Sequence, residues 1–183
     1  MKEDMLKWDE KHLKDFMPNS QSEFLVKCVQ TLPKGRVLDI ACGNGRNAKF
    51  LADRGFVCEC IDISPVAINK LVNIPNIIPL CLDLDHYEII PDHYEVILDF
   101  YFLDRRLFEG IKKGLKVGGV FLMETFIKND SYPANIHEEK ILQEGELQEM
   151  FWNFDILYYD KKLINRSGKN IQAVQFCAKK RSE

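Results

Sequence analysis

Residues 35–64 read GRVLDIACGNGRNAKFLADRGFVCECIDIS. Arg36 to Ile40 is a short apolar run that ends beside an acid, and Ala41-Cys42-Gly43-Asn44-Gly45 follows as a tight turn of small residues. An amphipathic segment with Ala48, Phe50, Leu51 and Ala52 on its apolar side is closed by Gly55, and a second apolar run, Phe56 to Ile61, ends at Asp62. Strand, glycine turn, helix and strand make one βαβ unit, for which parallel strands and a right-handed crossover are the rule. Ligands of open α/β sheets bind at the carboxyl ends of such strands, where Asp39, the turn and Asp62 all fall.

Two ligands compete for that turn. Gly43-Asn44-Gly45-Arg46-Asn47-Ala48 matches G-x-G-x-x-A, and Asp62 stands where a ribose-binding acid would, which is the dinucleotide pattern. A pyrophosphate, however, needs backbone N–H groups and a helix N-terminus, not an extra carboxylate beside it. Asp39 supplies that extra carboxylate. An acid next to exposed turn amides suits a zwitterion: Asp39 for an ammonium group, the amides and Arg46 for a carboxylate, Asp62 for the two hydroxyls of a ribose. The plain alternative is a turn whose glycines serve backbone conformation alone.

Three stretches, VLDIACGNGRNAKFLA, IDISPVAINKL and LKVGGVFLMETF, together resemble the class I S-adenosylmethionine-dependent methyltransferases across most of residues 36–126. GRNAKFLADRGF resembles the small-molecule branch that includes the tellurite-resistance-type enzymes. The resemblance implies S-adenosyl-L-methionine as cofactor and S-adenosyl-L-homocysteine as product. It implies a cradle of Asp39, Ala41, Cys42, Gly43, Asn44, Gly45 and Arg46, with Asp62 and Ile63 at the ribose. Asp83 and the Leu84 amide would meet the adenine, Phe100 would lie beside the transferable methyl, and Trp8 would come from a segment folded over the site. The implied fold is Rossmann-like and doubly wound: a mostly parallel seven-stranded sheet with an antiparallel C-terminal hairpin and helices on both faces.

Composition bounds the rest. A chain of 183 residues is most simply one domain with a substantial core. A formal net charge of −3 carries no basic footprint, so no nucleic-acid partner is expected. No run has the length of a membrane span, and the charged first residues lack the apolar core of a signal peptide, so the expected location is cytoplasmic. Six cysteines, at 28, 42, 58, 60, 81 and 177, sit mostly inside apolar runs and read as buried, reduced thiols. Cys58 and Cys60 share a strand face, but no second pair completes a zinc site, and no metal is expected.

Along the chain, Met5, Trp8, His12 and Phe16 form one helical stripe in residues 1–16, either a lid or an ordinary packing helix. Ser20-Gln21-Ser22-Glu23 has a capping-box pattern before a core-facing helix that Pro33 and Gly35 end. Ser64-Pro65 is an N-cap followed by a first-turn proline. A third strand, Ile77 to Leu82, leads to Asp83-Leu84-Asp85, with Asp85 the better cap for the next turn. Asp85-His86-Tyr87-Glu88 and Asp92-His93-Tyr94-Glu95 echo each other across Pro91 and read as a coincidence in a solvated loop. The fourth strand, Tyr94 to Phe100, is nearly all apolar, as a central strand should be. Asp104 caps a helix from Arg105 to Leu115, and Lys116-Val117-Gly118-Gly119 turns into a fifth strand, Val120 to Phe126. Residues 127–143, with Tyr132, Pro133 and His137, lack periodicity and read as a substrate loop. Glu146 to Phe151 is a short helix, and strands at Phe154 to Leu163 and Ile171 to Ala178 form a hairpin. One domain thus spans 1–183: N-terminal helices and possible lid to 34, cofactor core at 35–126, substrate loop at 127–143, and the C-terminal helix and hairpin at 144–183.

Displacement at a sulfonium needs alignment and water exclusion more than acid–base machinery, and proximity alone supplies roughly 7–11 kcal/mol. No Ser-His-Asp, HExxH or paired-carboxylate pattern is present. An acceptor that must lose a proton would be helped by a base, for which His12, Tyr101, Glu124 and His137 are candidates. The expected partner is a small-molecule acceptor, with sulfur, selenium or tellurium nucleophiles favoured by the tellurite-type resemblance. The rival readings are a macromolecular methyltransferase, a nicotinamide-dependent oxidoreductase and a non-catalytic cofactor-binding module.

Overall fold

Alternation of side chains splits the strand residues between two cores. A computed structural model describes residues 2–14, 16–128, 137–166 and 169–182. Its seven strands are β1 (Arg36–Ile40), β2 (Val57–Asp62), β3 (Ile77–Cys81), β4 (Tyr94–Phe100), β5 (Leu115–Phe126), β6 (Phe154–Arg166) and β7 (Lys169–Lys180). Val37, Cys58, Cys60, Val96, Leu98, Val120 and Leu122 face one core, with Phe24, Ala48 and Leu51 packed on them. Leu38, Ile40, Ile97, Phe121 and Met123 face the other, which is filled by Phe108, Phe151 and Phe176. Both faces of the central strands are therefore apolar, as a parallel sheet covered on two sides requires.

The strand order is β3-β2-β1-β4-β5-β7-β6. The first five strands pair in parallel, while β7 runs antiparallel to both β5 and β6. The order reverses between β1 and β4, which puts a crevice at their carboxyl ends. The helices are α1 (Lys2–Leu13), α2 (Glu23–Cys28), α3 (Arg46–Ala52), α4 (Pro65–Asn69), α5 (Phe108–Gly114) and α6 (Glu146–Met150). None of them, among the described residues, is long and apolar enough to cross a membrane.

Several local expectations change. The N-cap of α2 is Ser22, whose Oγ accepts from the Phe24 N–H at 3.2 Å. The Ser20 carbonyl instead accepts from Arg46 at 2.9 Å. Residues 105–115 divide into a 3-10 turn, Arg105–Leu107, then α5, and Leu115 passes into β5, where it pairs with Tyr94. The turn expected at Lys116–Gly119 is absorbed into β5 as a register shift opposite Tyr94 and Val96. Gly118 has φ +79°, and a Cβ on Gly119 would stand 2.8 Å from the Lys116 carbonyl, so both glycines are needed at that irregularity. β6 and β7 extend to Arg166 and from Lys169, longer than the apolar pattern indicated. The echoed tyrosines meet: Tyr94 is fully buried, its hydroxyl lies 3.1 Å from that of Tyr87, and it donates to Glu59 at 2.8 Å.

Candidate active site

Five strand tips bring carboxylates to one edge of the sheet. In sheet order they are Asp83 after β3, Asp62 ending β2, Asp39 in β1, Asp99 in β4 and Glu124 in β5. All but Asp83 are buried. Asp39 and Asp99 sit at neighbouring register positions, since Ile40 pairs with Asp99 and Asp39 with Leu98.

Asp39 is 2% exposed, and burial pushes its carboxyl up to about 7, with Arg46 pulling it down and Asp62 adding to the rise. Its Oδ2 atom is buried without a hydrogen-bond partner among the described residues. The same holds for Asp99 Oδ1, and burial lifts Asp99 well above the usual carboxylate range while the Phe102 N–H opposes it. Leaving such atoms unmade costs about 1–3 kcal/mol each, so they mark places where a ligand group is wanted.

Between β1 and α3 the chain turns through left-handed conformations at Ala41 (φ 49°), Gly43 (φ 56°) and Gly45 (φ 69°). A Cβ on Gly45 would lie 2.5 Å from Leu71, which holds α3 against the core, whereas one on Gly43 would meet the His12 ring at 3.3 Å. The Gly43 N–H donates to Asp62 Oδ2 at 2.8 Å, and the Ser64 N–H to Asp62 Oδ1 at 2.9 Å. Each carboxylate oxygen keeps a second lone pair for a hydroxyl. Ile63, between them, is half-buried. Asp83 is half-buried and accepts from the Asp85 N–H at 3.0 Å, so the capping role expected of Asp85 belongs to Asp83, and Asp85 pairs with Arg106. Leu84 is half-buried against the core.

The segment before α2 is strapped onto the turn. Asn44 donates to the Pro18 carbonyl at 3.1 Å and to Asn19 at 2.7 Å, and Asn47 accepts from the Ser22 N–H at 2.9 Å. Arg46 points its guanidinium at this strap. These asparagine clamps escape sequence reading because neither partner is apolar or periodic. α1 packs beside α4: Asp9 accepts from the Ser64 hydroxyl and from the Val66 N–H at 3.3 Å, and the His12 carbonyl accepts from Lys70 at 2.8 Å. His12 is 2% exposed and lies over Gly43. Trp8 is half-buried under the Lys11 ammonium, 4.1 Å from its ring centroid, and Phe16 falls outside the helix and is exposed.

On the other side of the crevice, Tyr101 follows β4 with φ 62°. Its N–H donates to the Glu124 carbonyl at 2.7 Å, its hydroxyl donates to Glu124 Oε1, and its ring stacks obliquely on Phe126 at 5.3 Å. Glu124 also accepts from Gln175 at 2.7 Å and Ser22 at 3.4 Å, and pairs with Lys162 at 3.0 Å. Gln175 and Lys162 come from β7 and β6, and sequence gave no signal for either, since their meeting depends on the antiparallel register Glu124↔Gln175. Phe100 and Phe102 are half-buried against opposite cores, and Leu103 is core. His137 is exposed at the start of a 3-10 turn, Glu138–Lys140, and the structure does not bring it to this network. Arg105 anchors that end of the segment through Glu146 and the Ile141 carbonyl at 2.9 Å. Tyr132 and Pro133 lie outside the described residues. Among the described residues no group of three or more His, Cys, Asp or Glu side chains could hold a metal ion.

The protein-family model described as tellurite resistance protein TehB matches residues 7–173, nearly the whole of this architecture. The chain belongs to the TehB family. It is similar to TehB from Haemophilus influenzae, with 21% identity, a TM-score of 0.79, and coverage of 95% of this chain and 67% of that one. The fold is also that of a Burkholderia thailandensis 1,6-didemethyltoxoflavin-N1-methyltransferase solved with 1,6-didemethyltoxoflavin and S-adenosylhomocysteine, at 14% identity and a TM-score of 0.72, covering 98% of this chain and 87% of that one. A curated relative, "Hemagglutinin 1" of Eikenella corrodens, is 26% identical over 161 residues, 82% of this chain. The chain spans about half of that relative's length, 53%. The fold is one shared by solved S-adenosylmethionine-dependent methyltransferases.

Proposed function

We propose that the chain transfers a methyl group from S-adenosylmethionine to a small-molecule acceptor and releases S-adenosylhomocysteine. The observation that carries the reading is Asp39 Oδ2, a buried carboxylate oxygen without a hydrogen-bond partner among the described residues, beside a glycine turn where a Cβ on Gly43 would press on His12 at 3.3 Å. This donor set fits the cofactor's amino-acid end: Asp39 takes the ammonium group, and since the N–H groups of Cys42, Gly43 and Gly45 donate to Ile61, Asp62 and Cys42, those of Asn44 and Arg46 serve the carboxylate. Asp62 keeps lone pairs for the ribose, and Asp83 with Leu84 borders the adenine. When bound, S-adenosylmethionine supplies a methyl on a positively charged sulfur, a leaving group already activated for displacement.

The protein's own task is then to align and to dry the site. The Tyr101 hydroxyl donates to Glu124, which fixes the phenol beside the tip of β4, where it borders the acceptor. Glu124, already engaged by Gln175, Ser22 and Lys162, orients Tyr101. α1, with His12 and Trp8, covers the cofactor end. Soft sulfur, selenium or tellurium nucleophiles, which need no general base, are the acceptors favoured by membership of the TehB family.

Calorimetric titration with S-adenosylhomocysteine, with NADH as control, tests the cofactor. Micromolar affinity for the first alone supports the reading; engagement of NADH instead returns the turn to the dinucleotide class. A screen of thiols and chalcogen oxyanions under reducing conditions, read by S-adenosylhomocysteine release, then tests the acceptor. Turnover on RNA or protein alone would favour the macromolecular reading.

A further inference from the structure

At the end of the sheet opposite the carboxylate tips, a groove of about 570 Å³ lies between the end of α2 and the hairpin, where β5 begins. Leu32, Val120, Leu157 and Tyr158 give it apolar walls. The Tyr158 ring is steadied by Phe24 of α2, tilted against it at 5.3 Å, while Leu157 is left 49% exposed. The charge beside these walls has one sign. Lys27 and Lys179 are exposed lining residues, and neither makes an ion pair among the described residues. A Cβ on Gly118 would lie 3.8 Å from Lys179 Cε, so the lysine stem follows this wall and leaves its ammonium at the rim. No Asp or Glu among the described residues lines the groove. Two acids of the hairpin are engaged instead: Asp155 pairs with Arg181 at 2.6 Å, and Asp160 accepts from the Tyr158 hydroxyl at 3.2 Å. In a chain whose acids outnumber its bases 28 to 25, this surface is a local exception.

A ligand for such a groove must bring an apolar body to cover Leu157 and a negative charge to meet the ammonium groups. The volume falls among those of sites that take one small ligand, about 300–1,000 Å³. We propose that the groove binds one anionic amphiphile, an acyl or aryl chain that ends in a carboxylate. The chain lies along Leu32, Val120 and Leu157, where removing apolar surface from water drives binding. The carboxylate is held between Lys27 and Lys179 by charge-assisted hydrogen bonds. This second site shares no residue with the cofactor crevice and does not rest on the methyltransferase reading.

Calorimetric titration of the full chain with dodecanoate, kept below its micelle concentration, should show one site per chain. Dodecyltrimethylammonium, with the same tail and the opposite charge, should bind at least about tenfold more weakly, and added salt should narrow the gap. Reversing both cations, Lys27→Glu with Lys179→Glu, should weaken dodecanoate at least about tenfold. A saturating level of S-adenosylhomocysteine should leave dodecanoate affinity within about twofold, and a diazirine-bearing dodecanoate should label residues within 27–33, 118–120 or 157–158. Equal affinity for the two head groups, wild-type affinity in the double variant, displacement by S-adenosylhomocysteine, or labelling elsewhere would overturn the proposal. So would association with phosphatidylglycerol vesicles but not with free dodecanoate, which would make the face a membrane-surface patch. Should the double variant fail to fold, the head-group comparison and the labelling of the wild-type chain decide.

Discussion

The phenol of Tyr101 and the carboxylate of Glu124 are joined across the tips of adjacent parallel strands, by the hydroxyl to Oε1 and by the Tyr101 N–H to the Glu124 carbonyl. Because Lys162 and Gln175 fix the far side of that carboxylate, Tyr101 has one preferred orientation, held despite a left-handed backbone at φ 62°.

Tyr101→Phe keeps the ring on Phe126 and removes the hydroxyl. With a turning-over acceptor in hand, kcat/KM for that acceptor should fall roughly 10–100-fold, about 1.4–2.7 kcal/mol of lost transition-state contact. The Kd for S-adenosylhomocysteine should stay within about twofold. An unchanged kcat/KM would remove Tyr101 from the acceptor site.

Asp62 accepts from both the Gly43 and Ser64 N–H groups, so it shapes the turn in addition to the ribose role proposed for it. Asp62→Ala should weaken S-adenosylhomocysteine binding by about 1–3 kcal/mol and lower stability by a similar amount, since two buried N–H groups lose their acceptor. Paired calorimetry and denaturant melts measure both. Wild-type affinity in the variant would show the ribose assignment to be wrong.

Gly43→Ala places a Cβ 3.3 Å from the His12 ring at a positive φ, so it combines backbone strain with a contact on the cover. A loss of about 1 kcal/mol in stability is expected from the backbone alone. His12→Ala in the same chain should restore the contact's share of stability but leave cofactor affinity low, because in the proposed placement the methyl group also meets the cofactor. A double-mutant cycle separates the two; full recovery of affinity would mean that α1 rather than the cofactor lies against Gly43.

Asp39 has a native pKa of about 7 against an ordinary 3.8. Between those values the folded state binds more protons than the unfolded one, so stability is greatest below about pH 4 on this account and falls as pH rises to 7. Asp99 acts in the same direction. Asp39→Asn should flatten that slope and raise stability at pH 8 by about 1–3 kcal/mol, while cofactor binding drops sharply. Denaturant melts from pH 5 to 8 check it; an unaltered slope would show that Asp39 is not the group that titrates there.

Much of the fold was legible because its signals are local. Apolar strands at 36–40, 57–62 and 94–100, the glycine turn and the Ser64-Pro65 start of α4 each declare themselves within a few residues. Asp39, Asp62 and Asp83 could be set at strand tips on the same ground. What could not be read depends on register or on competition among neighbours. Ser22 rather than Ser20 caps α2 because Ser20 lends its carbonyl to Arg46. Asp83 rather than Asp85 caps the following turn because Arg106 holds Asp85. Lys162 reaches Glu124 only once the β6–β7 hairpin has docked on β5. The Arg46 position also shows a limit of motif reading: the residue sits where the pattern puts it, yet its guanidinium braces the strap at Ser20.

The buried oxygen of Asp39 has one more consequence. A carboxyl that titrates near 7 is partly protonated in neutral buffer, and a cationic amine seated on it draws the pair back to the ionised form. Ligand uptake at neutral pH would therefore expel a fraction of a proton into the medium. Heats of association measured in phosphate and in Tris, whose own ionisation enthalpies differ, should disagree by that fraction, and in Asp39→Asn they should agree.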